Sequence, residues 1–259
     1  MSRLRARCPD CRTLTAVAVG SEYECHACGR RFGAGLVRVP RAWGQGGESM
    51  AAAAGTKLPF PEAAVVEEDS LCEQNLAVAA ALPERPLVLG GCCCAHIGAI
   101  QGLATRHDRL AVLWLDAHGD LNTPETSPSG NAWGMPLRTV LDSGTVRAED
   151  TVLLGARNLD PPEEEFIADA GITTDADRLE AALAEADAVY VALDVDVLDP
   201  AEGVAMFMPE PDGLTVDRTA ELLARAVARR PLAGAGFTGL AAGQANGDGL
   251  ARFSAALGI

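Results

Sequence analysis

An α/β fold built on a mostly parallel sheet with helices on both faces is what this 259-residue chain predicts. Three observations carry that expectation. Short, continuous apolar runs rich in Val, Leu and Ala recur along the body, as strands buried on both faces require. Stretches with a helical pattern lie between them, and parallel neighbours need such crossovers. Two of the apolar runs, Leu115-Asp116-Ala117-His118-Gly119-Asp120 and Leu193-Asp194-Val195-Asp196-Val197-Leu198-Asp199-Pro200, stop in acidic or imidazole side chains. Polar groups then sit at strand carboxyl ends, where open α/β sheets hold ligands.

The first element in chain order is a small module over residues 1–35. Cys8-Pro9-Asp10-Cys11 and Cys25-His26-Ala27-Cys28 form two C-x2-C knuckles separated by 13 residues. Two knuckles bring four thiolates into a tetrahedron, and Thr13 to Tyr23, with a Gly20-Ser21 turn, reads as a hairpin between them. The pattern resembles a zinc ribbon with a closed structural Zn²⁺ site, a redox pair being the alternative. A module this small folds on metal rather than on apolar burial. Its Arg3, Arg5, Arg7, Arg12, Arg30 and Arg31 suit docking on the same or a neighbouring subunit, or contact with nucleic acid.

Residues 36–259 form the body. Strands are expected at Leu36–Val39, Pro86–Gly90, Ala111–Asp116, Thr151–Ala156, Ala188–Asp194 and Gly234–Thr238. Helices are expected over about Ser70–Leu82, Ile97–Arg106, Asp177–Ala186, Val216–Ala228 and Gly249–Leu257, several opening on acidic residues or Ser. Arg41–Gly47 reads as a Gly-rich loop near the rim of the site.

Side chains alternate along a strand, so Asp194 and Asp196 project together, and D-x-H-x-D does the same for Asp116, His118 and Asp120. Four carboxylates do not stay ionised in one crevice without a cation, and hard oxygen donors with one imidazole suit Mn²⁺. Two divalent ions balance such a cluster better than one. The competing account makes these Asp residues caps and turn formers.

At these residues the chain resembles the arginase and agmatinase (ureohydrolase) family, over roughly residues 36–259. The resemblance implies an arginase-like three-layer α/β/α domain behind the zinc-ribbon module. It further implies two Mn²⁺ ions bridged by Asp116 and Asp194, with Asp120 completing one site and His118 and Asp196 the other. A metal-bridged hydroxide would then attack a guanidinium carbon, with Asp120 accepting its proton. The family's G-G-D-H-S stands here as Gly90-Gly91-Cys92-Cys93-Cys94, which puts Cys93 where a metal-binding His is expected. Thiolate there would weaken Mn²⁺, favour Zn²⁺ or another soft ion, or leave the site empty, the alternative being that Cys92 to Cys94 are small buried residues at a strand end. His96 is a substitute ligand or an ordinary helix residue.

The substrate end departs further. Ser129-Gly130-Asn131-Ala132-Trp133-Gly134 resembles S-G-N-L-H-G, with Trp133 replacing a proton-relaying His. Met208 replaces a Thr beside the guanidinium, and Gly239 falls where a pairing Glu is expected. Asn122, Ser129 and Asn131 match residues that hold an α-carboxylate, and Asp160 and Glu163 match those reaching the α-amino group. Turn formation alone would also explain the Asn and Ser residues. The implied substrate resembles arginine at its head but not at its reacting tip, as an N-substituted guanidino amino acid such as N-hydroxyarginine does.

Composition sets the remaining bounds. Residues 1–41 carry eight Arg against three acidic residues, hence +5, and the whole chain's −15 leaves −20 on the rest. An acidic body does not suit nucleic acid as main partner. No segment has the uninterrupted apolar length of a membrane span, and the N-terminus lacks a signal peptide's apolar core, so a cytoplasmic protein is expected. Its eight Cys then argue for metal or thiol roles rather than disulfides. The leading expectation is a metal-dependent hydrolase of a guanidino, ureido or formimino C–N bond, assembled as a trimer or hexamer as the resemblance implies. The alternative is a non-catalytic or single-metal binding or regulatory protein that uses the ribbon for protein contacts.

Overall fold

A computed structural model describes residues 5, 6, 8, 10, 11, 13, 15–19, 22–58, 60–241 and 246–259. Arg3, Arg7, Arg12, the side chain of Arg5 and the Gly20-Ser21 turn lie outside the described residues. Seven parallel strands form the centre: β4 (Arg31–Val39), β5 (Glu62–Val65), β6 (Arg85–Gly90), β7 (Leu110–Leu115), β8 (Thr151–Leu154), β9 (Ala188–Asp194) and β10 (Leu232–Thr238). Their spatial order is β5-β4-β6-β10-β9-β7-β8. The three short strands β1 (Arg5–Ala6), β2 (Ala16–Val19) and β3 (Glu22–Cys25) are antiparallel and join the sheet through β4.

Strand alternation divides the apolar side chains between two cores. Leu87, Leu89, Leu113, Leu115, Val189, Val191 and Phe237 face one side, where they meet α6 (Leu179–Ala182), α7 (Val216–Arg229) and α8 (Asn246–Leu257). Val88, Val112, Trp114 and Tyr190 face the other, against α2 (Leu71–Ala81), α3 (Ala95–Ala104), α4 (Pro136–Asp142) and α5 (Pro161–Ala170). The expected α/β class and three layers are therefore what the chain forms. Its helices carry the expected start signals: Ser70 caps α2 by accepting from Glu73 N at 3.2 Å, and Thr215 caps α7 by accepting from Arg218 N at 3.0 Å.

Six elements differ from the sequence expectation. Helix α1 (Glu48–Ala53) and strand β5 were not anticipated, nor were α4 and α5, which begin on Pro136 and Pro161. Proline is preorganised for the first helical turn, so these are helix starts rather than loop residues. The helix expected over Asp177–Ala186 is a single turn, α6, entered from the 3-10 turn Ala176–Arg178. The strand expected from Leu36 begins five residues earlier, because Glu22, Tyr23 and Glu24 of β3 pair with Gly33, Phe32 and Arg31 before β6 takes over the strand. Stacking of Tyr23 on Phe32 at 5.6 Å and the Arg30–Glu84 ion pair at 2.9 Å add contacts across that junction.

Candidate metal centre

Strands β6, β10, β9 and β7 are consecutive neighbours in the sheet, and the carboxyl end of each leads into one cluster. The turn after β6 supplies Cys93, β10 ends on Thr238, β9 ends on Asp194 and β7 leads into Asp116. Asp196 follows in the 3-10 turn Val195–Val197, and His118 and Asp120 follow Asp116. Convergence is thus a property of strand order, not of any long-range loop. Ligand atoms of Cys93, Asp116 and Asp120 lie within 4.8 Å of one another, as do those of Asp116, His118 and Asp196.

Backbone N–H groups aim several of the carboxylates. Asp194 Oδ1 accepts from Asp196 N at 3.0 Å, Asp116 Oδ1 from His118 N at 2.8 Å, and Asp196 Oδ1 from Ala117 N at 3.0 Å. Asp116 Oδ2 accepts from the Trp114 indole at 3.2 Å, and Asp194 Oδ2 from the Thr238 hydroxyl at 3.1 Å. His118 Nδ1 sits 3.1 Å from Asp196 Oδ2 and 3.3 Å from Asp116 Oδ1. Its Nε2 faces outward, 3.7 Å from Glu210 Oε1. Asp120 takes a left-handed backbone conformation (φ 54°), and its buried Oδ2 has no hydrogen-bond partner.

Cys93 Sγ lies 3.1 Å from Asp194 Oδ2, 3.5 Å from Asp116 Oδ2 and 3.2 Å from Thr238 Oγ1. It therefore points into the cluster. His96 does not: its ring is wholly buried behind the cluster, with Nδ1 2.9 Å from the Tyr190 hydroxyl and Nε2 3.2 Å from Thr238 Oγ1. The suggestion that His96 substitutes as a ligand is corrected by this orientation, because both ring nitrogens are already engaged by hydroxyls.

The electrostatics are those of crowded, desolvated acid. Burial, then repulsion from Asp196, pushes Asp194 up to about 7, and burial with Asp116 pushes Asp196 up to about 6. Burial raises Asp116, and burial with the Asp116 charge raises Asp120 well above the carboxylate range. Burial and the same three neighbours, Asp194, Asp120 and Asp116, raise the Cys93 thiol. Burial alone would lower His118, but Asp116 and Asp196 hold it up to about 12. Each shift describes charge without enough opposite charge, which a divalent cation among these donors would supply.

The chamber over these groups has a volume of only about 20 Å³, enough for one water. Trp133, Phe207, Met208 and Met50 roof it, and Gly239 completes its wall. Trp133 meets Phe207 edge to face at 5.9 Å and 72°. Gly44 passes so close to the indole that any Cβ would overlap it. Gly239 likewise lies against the Asp194 carboxylate in a left-handed conformation (φ 71°) that excludes a side chain.

The residues expected to hold an amino-acid head lie elsewhere. Glu163 is buried in the capping box of α5: Oε2 accepts from Asp160 N at 3.0 Å and Oε1 from Leu121 N at 2.9 Å. Asn122 Nδ2 donates to Asp160 Oδ2 at 2.8 Å, and its Oδ1 accepts from Thr126 at 2.9 Å. Asn131 Oδ1 accepts from Gln45 N at 3.0 Å, and Ser129 Oγ accepts from Asn131 N at 3.2 Å. These polar groups brace loops around the rim and do not line the chamber. Conversely, Thr238, Tyr190, Trp114 and Phe207 escaped the sequence reading. For Thr238, Tyr190 and Trp114 the one signal is a hydroxyl or indole inside an otherwise apolar strand, which marks a buried hydrogen-bond partner; Phe207 lies in a loop and carries none.

The module at the other end gathers its thiols. All four sulfurs of Cys8, Cys11, Cys25 and Cys28 lie within 4.8 Å of one another, with Cys8–Cys28 at 3.6 Å and Cys11–Cys25 at 3.5 Å. A tetrahedron with metal–sulfur bonds of about 2.3 Å has edges of about 3.8 Å, so the donors fit zinc. The Thr15 hydroxyl, 3.3 Å from Cys25 Sγ, pulls that thiol down to about 5.

Fold and cluster together define a three-layer α/β protein carrying an acidic, metal-type centre at the carboxyl edge of its parallel sheet. A profile of the Arginase family matches residues 48–248, and the chain belongs to that family. It is 38% identical to the arginase of Bacillus caldovelox over 178 aligned positions, with 56% of this chain and 60% of that one covered. Identity to the arginase of Staphylococcus aureus (strain MRSA252) is 41% over 144 residues, covering 45% and 47%. The chain thus spans about half to three fifths of these relatives' length at the level of sequence. The native structure of the B. caldovelox arginase superposes with a TM-score of 0.75 at 26% identity, covering 88% of this chain and 99% of that one.

Proposed function

We propose that the body, residues 36–259, is a metal-dependent hydrolase of a linear amidine C–N bond. The observation that carries this is the convergence of Cys93, Asp116, His118, Asp120, Asp194 and Asp196 on one chamber, with the buried Oδ2 of Asp120 unpartnered. Cys93, Asp116, Asp120 and Asp194 would hold one divalent ion, and Asp116, His118, Asp194 and Asp196 a second. The oxygen-rich second set fits Mn²⁺, whereas Cys93 shifts the first toward softer ions. Such ions, when bound, lower the pKa of water and polarise the amidine. Asp120 is the group placed to take up a proton there, its free oxygen facing the chamber. The Arginase-family match and the relatives named arginase support the amidine class.

Trp133, Met208 and Gly239 put no polar partner where the resemblance expects one for a guanidinium tip, which favours a neutral or weakly basic tip, as in an N-substituted guanidino amino acid such as N-hydroxyarginine. With room for one water, the chamber would have to widen at its apolar roof to admit that tip. The α-carboxylate would then meet the Ser129 and Asn131 rim, and the α-amino group Asp160, with Asn122 and Glu163 holding those loops in place. Residues 1–35 are a structural zinc module on Cys8, Cys11, Cys25 and Cys28, suited to contacts within a trimer or hexamer.

The apolar, closed roof also favours a second reading, a non-catalytic protein that retains the centre for one ion. Elemental analysis of the protein purified without added metal separates the two. One zinc plus two further ions, one of them lost in Cys93→Ala, together with release of product from guanidino or ureido amino acids, is the expected result. At most one ion beyond the ribbon zinc after Mn²⁺ is supplied, with no turnover, would establish the second reading.

A further inference from the structure

We propose that His96 and Tyr190 are positioning residues for the metal-facing carboxylate of Asp194, acting through the Thr238 hydroxyl; this rests on the metal-holding reading above. The direction of the relay follows from counting protons. An ionised Asp194 only accepts, so the single proton of Thr238 is committed to its Oδ2 at 3.1 Å. The Thr238 oxygen is then the acceptor for His96 Nε2 at 3.2 Å, which places the imidazole proton on Nε2. A neutral imidazole has one acceptor left, and Nδ1 receives the Tyr190 hydroxyl proton at 2.9 Å. Tyr190 to His96 to Thr238 to Asp194 is therefore one chain with each donor matched to an acceptor.

The fold makes room for this chain specifically. A Cβ on Gly236 would come within 2.6 Å of both His96 Cε1 and the Tyr190 hydroxyl, so the strand next to β9 carries no side chain where the two meet. The His96 ring also stands edge-on to Trp114 at 5.2 Å, and the Trp114 indole aims Asp116 Oδ2. One buried imidazole thus backs the groups that orient two of the inward carboxylates. The Thr238 hydroxyl lies 3.2 Å from Cys93 Sγ as well, so the relay ends between two donors of the same set. Partners behind a ligand fix its orientation, and their loss typically weakens metal binding 10–100-fold.

Two measurements on the full chain test the assignment. Imidazole nitrogen NMR of the zinc-loaded protein, which has four His, reads the His96 tautomer directly. Protonated Nε2 with bare Nδ1 is expected, and protonated Nδ1 overturns the relay. Titration with Mn²⁺ followed by electron paramagnetic resonance then compares wild type with Thr238→Val, Thr238→Ser and Tyr190→Phe. Thr238→Val should weaken Mn²⁺ binding on the order of 10–100-fold and Thr238→Ser should restore it, with Tyr190→Phe several-fold weaker than wild type. Equal binding by Thr238→Val, or no rescue by Ser, would mean the hydroxyl only fills space. A wild type that takes up no Mn²⁺ sinks the metal-holding reading, while the tautomer still decides whether the relay exists.

Discussion

Asp120 combines a left-handed backbone with a buried carboxylate oxygen that nothing in the protein satisfies. Asp and Asn tolerate that conformation better than other residues with side chains, so Asp120→Asn leaves the turn intact while removing the proton acceptor. We expect turnover of the responsive amidine to fall by at least about 10²-fold, with an unchanged circular dichroism spectrum. His96 offers a second test at this scale. Burial lowers it from 6.5 to about 3, so between those values the unfolded chain binds a proton that the folded chain refuses. Stability contributed by this group is complete above pH 6.5 and is lost as pH falls, at most about 1.4 kcal/mol per unit. Urea unfolding of His96→Gln at pH 6 and pH 4 should lose less stability over that interval than wild type does; an equal loss refutes the buried neutral imidazole.

Among elements, the 3-10 turn after β9 depends on a distant guanidinium. Arg157 donates to the carbonyls of Asp196 at 2.8 Å, Glu210 at 2.9 Å, Gly155 at 2.9 Å and Pro211 at 2.7 Å, tying the loops that follow β8 and β9 and the Glu210 segment into one edge. Lysine cannot reproduce that fork, so Arg157→Lys should cost about 3 kcal/mol in urea unfolding and loosen Asp196. Legibility in the sequence follows the same division. The central strands and the D-x-H-x-D and D-x-D ligands could be read because buried parallel strands are uninterrupted apolar runs with the acids at their ends. Helices α4 and α5 could not, because a proline start reads equally as a loop. Glu163 and Asn122 are expected at the substrate from the family resemblance alone; in the fold Glu163 completes the capping box that the Asp160-Pro161-Pro162-Glu163 sequence encodes, and Asn122 donates to the capping Asp160. The Tyr190–His96–Thr238 contact joins three separate elements, and no local pattern announces it.

Across the whole molecule, the acidic body and the thiol module share a strand. The first three residues of β4 pair antiparallel with β3, and the rest pair parallel with β5 and β6, without a break at position 35. Among the described residues no helix is long and apolar enough to cross a membrane. A shared strand couples the two parts in unfolding: calorimetry of the zinc-loaded protein should show one transition, and a chelator should lower its temperature rather than add an earlier peak. Two well-separated transitions would show that the parts melt independently. The same strand sets where the molecule resists a protease. Cleavage within Arg31–Val39 requires antiparallel and parallel neighbours to release the backbone together, so nicking there should follow global opening, while cuts in the exposed Thr123–Gly130 loop should proceed from the native state.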